Sequence, residues 1–283
     1  MTWNKAIEAR PWGKNDLMKK QRYNFKTQIY INPEFFHLED FIKKILESFD
    51  AAGQEIKSGK TGLKVYSTDG IKLTVKRFND ISIFHRMLSS TIGKSKARSA
   101  YENSQLLIKK GFPSPRPVAY VNIYRRGILH TCYYISLYTD RIPIKELFSA
   151  PIPESEKGLR SFAKFTYNLH QNGIFHGDYR LSNVFYEYDG FNYDFSLIDN
   201  DSIRLGRYSM RRGMRNLRRL SLPADKLAII ATEYACLVGT NELIALNTII
   251  FFRLSHTIRK AFRKWIKKYR RHAETCLLNV YWM

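Results

Sequence analysis

Cysteine is scarce in this chain: Cys132, Cys236 and Cys276 stand far apart, with no CxxC spacing. That excludes a disulfide scaffold and a zinc knuckle, and predicts reduced thiols in a cytosolic setting. Long apolar runs are missing too. The longest, "ELIALNTIIFF" at 242–252, falls short of the ~20 residues a spanning helix needs. "MTWNKAIEARPWGKNDLMKK" at the start has no apolar h-region, so no signal peptide is expected. There is no internal repeat and no low-complexity segment. Acids are short as well, 25 Asp and Glu against 47 Lys and Arg, which leaves a formal charge of +22.

Apolar residues make up 44% of the 283 positions and aromatics 14%, enough for a folded core and too many for a disordered chain. A surface this basic seeks polyanions: nucleic acid, anionic lipid headgroups or phosphorylated glycans. Hydrophobic periodicity divides the chain. Residues 22–31 read as a strand, and 34–49 as a helix with Leu38, Phe41, Ile42, Ile45 and Phe49 on one face. From 54 to 78 the period is two, with turns at "SGKTG" and "TDG", which predicts a three-strand meander. A helix follows over 95–110, then extended "FPSPRPVAYV" and a strand at 130–138. The second part opens with a helix over 155–172, carrying Leu159, Phe162, Ala163, Phe165 and Leu169 and stopping at Gly173. The expectation is a sheet-rich N-terminal lobe over 1–138 and a helix-rich C-terminal lobe over 139–283.

"HGDYRLSNVF" at 176–185 carries the chemistry. Asp178 and Asn183 sit before a predicted hairpin joined at Asp189-Gly190, whose second strand ends in Leu197-Ile198-Asp199. Phosphoryl transfer needs such a set: a carboxylate to orient the attacking hydroxyl, and hard oxygen ligands for Mg²⁺ on the phosphates. The bland alternative makes Asp178 and Asn183 turn caps and Asp199 a strand-end residue. The first half supplies matching parts. "LTVKRF" puts Lys76 on the third strand of the meander, suited to ATP phosphates, and "SAYENSQLL" puts Glu102 on the next helix as its partner. Alternatively Lys76 is a solvated charge on an edge strand and Glu102 an ordinary helix-surface acid. Gly59 and Gly62 lie between the first two meander strands, where they form either a phosphate-covering loop or a plain hairpin turn.

With these motifs in place, the chain resembles the protein-kinase-like superfamily, and within it the lipopolysaccharide core kinases of the Kdo/WaaP type. The resemblance covers roughly residues 54–225 through "LTVKRF", "ARSAYENSQLLIKKGFPSPRPVAY", "FHGDYRLSNVF" and "SLIDNDSIRL". It implies an α+β, two-lobed fold with an N-terminal antiparallel sheet, an αC helix and a helix-rich C-terminal lobe. It further implies Asp178 as catalytic base, Asn183 and Asp199 as Mg²⁺ ligands, and Lys76 with Glu102 as the ATP-phosphate pair. Arg180, two after the base, would either neutralise the transferred phosphoryl group or face solvent. The implied reaction is transfer from Mg-ATP to a Kdo or heptose hydroxyl of a lipid-linked anionic glycan. Asn200-Asp201 replaces Phe-Gly after the metal Asp, there is no APE, and Gly177 replaces an Arg. These departures speak against a phospho-regulated activation segment.

Seven arginines crowd 204–220: Arg204, Arg207, Arg211, Arg212, Arg215, Arg218 and Arg219. Their forked donors suit carboxylate and phosphate, so Arg204, Arg207, Arg211, Arg212 and Arg215 are candidate acceptor contacts; a solvated basic face is the other reading. In "RLSHTIRKAFRKWIKKYRRH" at 253–272, Leu254, Ile258, Phe262, Trp265 and Tyr269 form a stripe at helical spacing among Arg and Lys. Either the stripe packs on the helical lobe, or the helix meets an anionic membrane surface. The expected location is the cytoplasm, with peripheral attachment to the inner face of the cytoplasmic membrane as an option. Two other readings stay open. One is a kinase of proteins or other small molecules. The other is a non-catalytic basic module for nucleic acid, although no RNP, zinc-finger or helix-turn-helix pattern is present and no nucleic acid is expected.

Overall fold

The computed structural model describes residues 25–57, 62–68, 70–79 and 93–280. Gly59 lies outside them. Two compact units emerge, one of residues 1–141 with 196–203, the other of 142–195 with 204–283.

The first unit is built on a six-stranded antiparallel sheet. Its strands are β1 (Phe25–Ile31), β2 (Gln54–Lys57), β3 (Leu63–Thr68), β4 (Ile71–Phe78), β5 (Pro117–Arg125) and β6 (Ile128–Leu137). They lie in the order β1-β5-β6-β4-β3-β2, so the expected meander 54–78 forms one half of the sheet. β5 and β6 join through Arg126-Gly127, both at positive φ, as a tight two-residue hairpin turn requires. Strand alternation gives the sheet two faces. Leu73, Val75, Tyr133 and Ile135 point to one, where α1 (Glu39–Ser48) lays down Ile42 and Ile45. Phe78 and Cys132 point to the other, against Ala97 and Tyr101 of α2 (Lys96–Lys109). Each such fully buried side chain contributes about 1.5–3 kcal/mol of transfer free energy.

Lys76 falls on the face of β4 that Phe78 shares, and it pairs in register with Tyr134 of β6. β4 lies between β3 and β6, which overturns the reading of Lys76 as a charge on an edge strand. Its side chain is only 17% exposed.

In the second unit, β7 (Ile142–Pro143) pairs with β9 (Val184–Tyr188), and β10 (Tyr193–Leu197) continues that small sheet from its first residues. The helices are α3 (Ile144–Ser149), α4 (Ile152–Gln171), α5 (Met210–Leu217), α6 (Ala224–Val238) and α7 (Glu242–Val280). β8 (Ile174–His176) follows α4 directly. The predicted stripe of α4 is buried apart from Phe165, which is half-buried, while Thr166 and His170 complete the buried face. Phe162 meets Phe148, Tyr179 and Phe195 there. α7 docks through Ala245, Ile249 and Phe252, all buried. Leu254, Ile258, Phe262, Trp265 and Tyr269 are exposed, which corrects the reading that this stripe packs on the helical lobe: a different face of the helix makes that contact.

His170 ties α4 to the segment that follows β8. Its Nδ1 meets the Tyr234 hydroxyl at 3.0 Å and its Nε2 meets Asn216 Oδ1 at 3.0 Å. Asn216 Nδ2 donates to the His176 carbonyl at 2.8 Å. A β-carbon at Gly213 would come within 2.4 Å of the Tyr234 hydroxyl and 2.9 Å of His170 Nδ1, so glycine is what lets α5 approach this network. Burial pushes the His170 imidazole down to about 4, outweighing the Asn216 bond that favours its charged form.

Unfolded His170 titrates near 6.5, above its folded value, so the unfolded chain binds more protons and stability drops as the pH is lowered between those values. Urea denaturation is expected to show a loss of up to about 3 kcal/mol from this residue between roughly pH 6.5 and 4, with full stability above that window. His170→Gln removes this part of the slope; an unchanged slope in the variant would show that the residue does not titrate in this way.

Candidate active site

Two sets of polar residues form, one in each unit. In the first unit, β10 ends at Leu197, and Asp199 adopts a left-handed backbone with φ 61° and ψ 46°. A 3₁₀ turn over Asn200–Ser202 follows. That turn is bolted to α2. Asn103 Nδ2 donates to the Asn200 carbonyl at 2.7 Å, and Asn200 Nδ2 donates to Ser104 Oγ at 3.0 Å and to Ser114 Oγ at 2.9 Å. Asn200 is buried. The turn presents the Asp199 carboxylate to Lys76, and the two form an ion pair 123 residues apart in sequence. The Lys76 ammonium also lies 4.7 Å from the centre of the Phe78 ring.

Glu102 is elsewhere. Its carboxylate pairs with Lys94 and with Arg98, the latter at 2.7 Å. Among the described residues Lys76 and Glu102 make no ion pair, so the expected Lys–Glu couple is replaced by Lys76–Asp199. Arg98 stands one helical turn before Glu102 on the same face, where an ion pair orders the least chain.

Asp201 shares this corner. Burial, and then the charge of Asp199, push its carboxyl up to about 7. Two carboxylates this close create a local excess of negative charge that a cation would relieve. Their hard oxygens suit Mg²⁺, which binds through one or two carboxylates and fills its shell with water and phosphate oxygens. Among the described residues no cluster of three or more His, Cys, Asp or Glu occurs. Of the described residues, Asp199 and Asp201 alone supply the carboxylate oxygens that such an ion would take here.

In the second unit, Asp178 follows β8, and its amide donates to His176 Nδ1 at 3.2 Å. Asn183 Nδ2 donates to the Asp178 carbonyl at 2.9 Å, closing the loop across the four residues between them. Ser182 Oγ in turn donates to Asn183 Oδ1 at 3.2 Å. Tyr179 between them is fully buried, its hydroxyl bonded to Thr166 Oγ1 at 2.8 Å. Two guanidinium groups reach the same Asp178 oxygen, Arg180 at 2.7 Å and Arg219 at 2.9 Å. Arg219 also donates to the Gly177 carbonyl. Nothing in the sequence separates Arg219 from its arginine neighbours; only the fold places it on Asp178.

The other arginines divide. Arg212 lies 4.1 Å from the centre of the Phe175 ring and donates to the Arg207 carbonyl at 3.2 Å. A β-carbon at Gly206 would collide with that guanidinium. Arg218 donates to the Arg215 carbonyl at 2.6 Å. Arg204, Arg207, Arg211 and Arg215 are exposed, with Arg211 lying 5.8 Å from the Phe252 ring centre. Gly62 is buried, and a β-carbon there would meet the Phe49 ring at 3.0 Å, so its lack of a side chain serves packing.

No family model and no curated protein matches this sequence. Among solved structures the chain is similar to WaaP in complex with acyl carrier protein, at 12% identity, with 83% of this chain and 98% of that chain covered and a TM-score of 0.57. A MAP kinase from Leishmania major superposes with a TM-score of 0.38 at 15% identity, over 75% of this chain and 65% of that one, too low to weigh. The chain has a protein-kinase-like fold, with an N-terminal antiparallel sheet and a helical C-terminal region.

Proposed function

We propose that this protein is a Mg-ATP-dependent kinase that phosphorylates a sugar hydroxyl, Kdo or heptose, on a lipid-linked anionic glycan of the lipopolysaccharide inner core. The Lys76–Asp199 pair carries the reading. An internal-strand lysine and a left-handed aspartate are brought together by a turn locked onto α2, and a plain packing role would not require that arrangement. In this reading Lys76 binds nucleotide phosphate oxygens, and Asp199, Asn183 and Asp201 would hold Mg²⁺, which supplies charge neutralisation on the phosphates. Asp178 accepts the proton of the attacking hydroxyl, with its carboxylate oriented by Arg180 and Arg219. The exposed Arg204, Arg207, Arg211 and Arg215 suit an anionic acceptor. A +22 chain disfavours polycationic acceptors.

Asp178→Asn is expected to lower turnover by about 10²- to 10⁴-fold, the usual span for a general base. Calorimetry should find its Mg-ATP affinity unchanged, because Asp178 holds no nucleotide. Turnover within a factor of two of wild type would remove this residue from the chemistry.

Asp199→Ala should behave in the opposite way, losing Mg²⁺-dependent nucleotide binding and leaving the phosphates without a counter-ion. If Mg-ATP binds the variant as tightly as wild type, Asp199 is not the main ligand. For the acceptor, Arg204→Gln, Arg207→Gln and Arg215→Gln are combined, and Arg212 is left in place because it packs on Phe175. Removing one charge-assisted hydrogen bond costs about 1.5–3 kcal/mol. The KM for lipopolysaccharide should therefore rise more than tenfold while the KM for ATP stays constant. A parallel rise in both would assign the run to structure, and phosphate analysis of core glycan from cells with and without the gene checks the acceptor itself.

A further inference from the structure

The first half of α7 docks on the second unit through Ala245, Ile249 and Phe252. Arg253 secures it by donating to the Leu222 carbonyl at 2.6 Å. At 3.6 residues per turn those three docking side chains share one side of the helix. Phe251, Leu254, Ile258, Phe262, Trp265 and Tyr269 share another, within an arc of about 80° centred about 150° from the docking side. Each of the six is more than half exposed. They form a stripe about 27 Å long at 1.5 Å per residue, well beyond the scattered single apolar residues of an ordinary surface.

The remaining surface is cationic. Arg259, Lys260, Arg263, Lys264 and Lys267 are exposed on the arc that the stripe leaves free, and there is no acid between Glu242 and Glu274. A second copy of this helix would offer apolar surface but bring like charges together, within chains that each carry +22. An anionic bilayer satisfies both faces: the stripe enters the boundary between headgroups and acyl chains, and the long basic side chains reach back to lipid phosphates. Trp265 and Tyr269 are amphipathic rings suited to that depth. No described helix is long and apolar enough to cross a membrane, and a helix with one apolar and one basic face suits the surface instead.

We propose that α7 is an interfacial anchor whose Phe251–Tyr269 stripe docks onto an anionic phospholipid surface. The inference is independent of the kinase reading, since it uses none of Lys76, Asp178 or Asp199.

The test is co-sedimentation of the full chain with phosphatidylcholine vesicles, with and without phosphatidylglycerol, at low and high salt. Wild type should pellet with phosphatidylglycerol vesicles and stay in solution with phosphatidylcholine alone. Combined Phe262→Ser, Trp265→Ser and Tyr269→Ser should lower partition at least tenfold, with the melting curve unchanged because each of these side chains is more than half exposed. Combined Arg259→Gln, Arg263→Gln and Lys267→Gln should lower it by about 100-fold, since each basic residue near such a surface contributes about fivefold. Failure of wild type to pellet, or full binding by the apolar-face variant, overturns the proposal. So does a dimer in analytical ultracentrifugation that the apolar-face variant dissolves while vesicles capture nothing; the occupant would then be a second copy. ATP turnover by both variants, measured in parallel, keeps failure of the anchor distinct from failure of the kinase reading.

Discussion

Carboxylates are the scarce charge in this protein, and the placement of the functional residues depends on how they are shared out. With nearly two cations for every acid, an acid near a loop or a strand end meets a lysine or arginine almost by default. Asp199 is taken by Lys76, Asp178 by Arg180 and Arg219, and Glu102 by Lys94 and Arg98. The first two pairings position acids that phosphate chemistry can use. The third diverts Glu102 into a local helix contact. A cationic surplus also leaves many guanidinium groups in search of acceptors, and several settle on backbone carbonyls or aromatic faces instead.

Neutral polar networks do the holding that charge cannot. In the first unit Asn103, Ser104, Ser114 and Asn200 fix the turn after Asp199. In the second, Tyr234, His170 and Asn216 support the backbone of His176, whose ring receives the Asp178 amide. Buried polar networks specify a geometry through the bonds they do make; in the first unit Asn200 makes these through Nδ2, while its buried Oδ1 has no hydrogen-bond partner among the described residues. The turns that carry the Asp199 and Asp178 carboxylates are thus held by uncharged side chains, and cations pair with the carboxylates.

The fold was largely legible because periodicity changes sharply along the chain. The meander at 54–78, the helix preceding Gly173 and the hairpin around Asp189-Gly190 all follow from spacing and turn residues. The resemblance assigned Lys76 and Asp199 to the same nucleotide but paired Lys76 with Glu102; the Lys76–Asp199 contact itself was not legible, since no local rule links positions 123 residues apart. Three further features were not legible. Residues 196–203 cluster with the first unit although the chain around them belongs to the second, and a linear reading has no means of expressing that return. Arg219 looks like its neighbours until the fold points it at Asp178. The stripe on α7 has the spacing of a buried face; spacing reports which residues share a side, and it is silent on what that side meets.

The left-handed backbone at Asp199 bears on what this sequence has been selected for. An L-residue other than glycine pays roughly 1–2 kcal/mol in that region, somewhat less when a short polar side chain helps. Thermodynamic fitness alone would favour glycine at the end of β10, where the turn would form with less strain. The chain accepts that conformational penalty and keeps a carboxylate instead. Under the proposed kinase function, position 199 is one where activity outweighs stability, and the excess cost of folding there is written into the backbone.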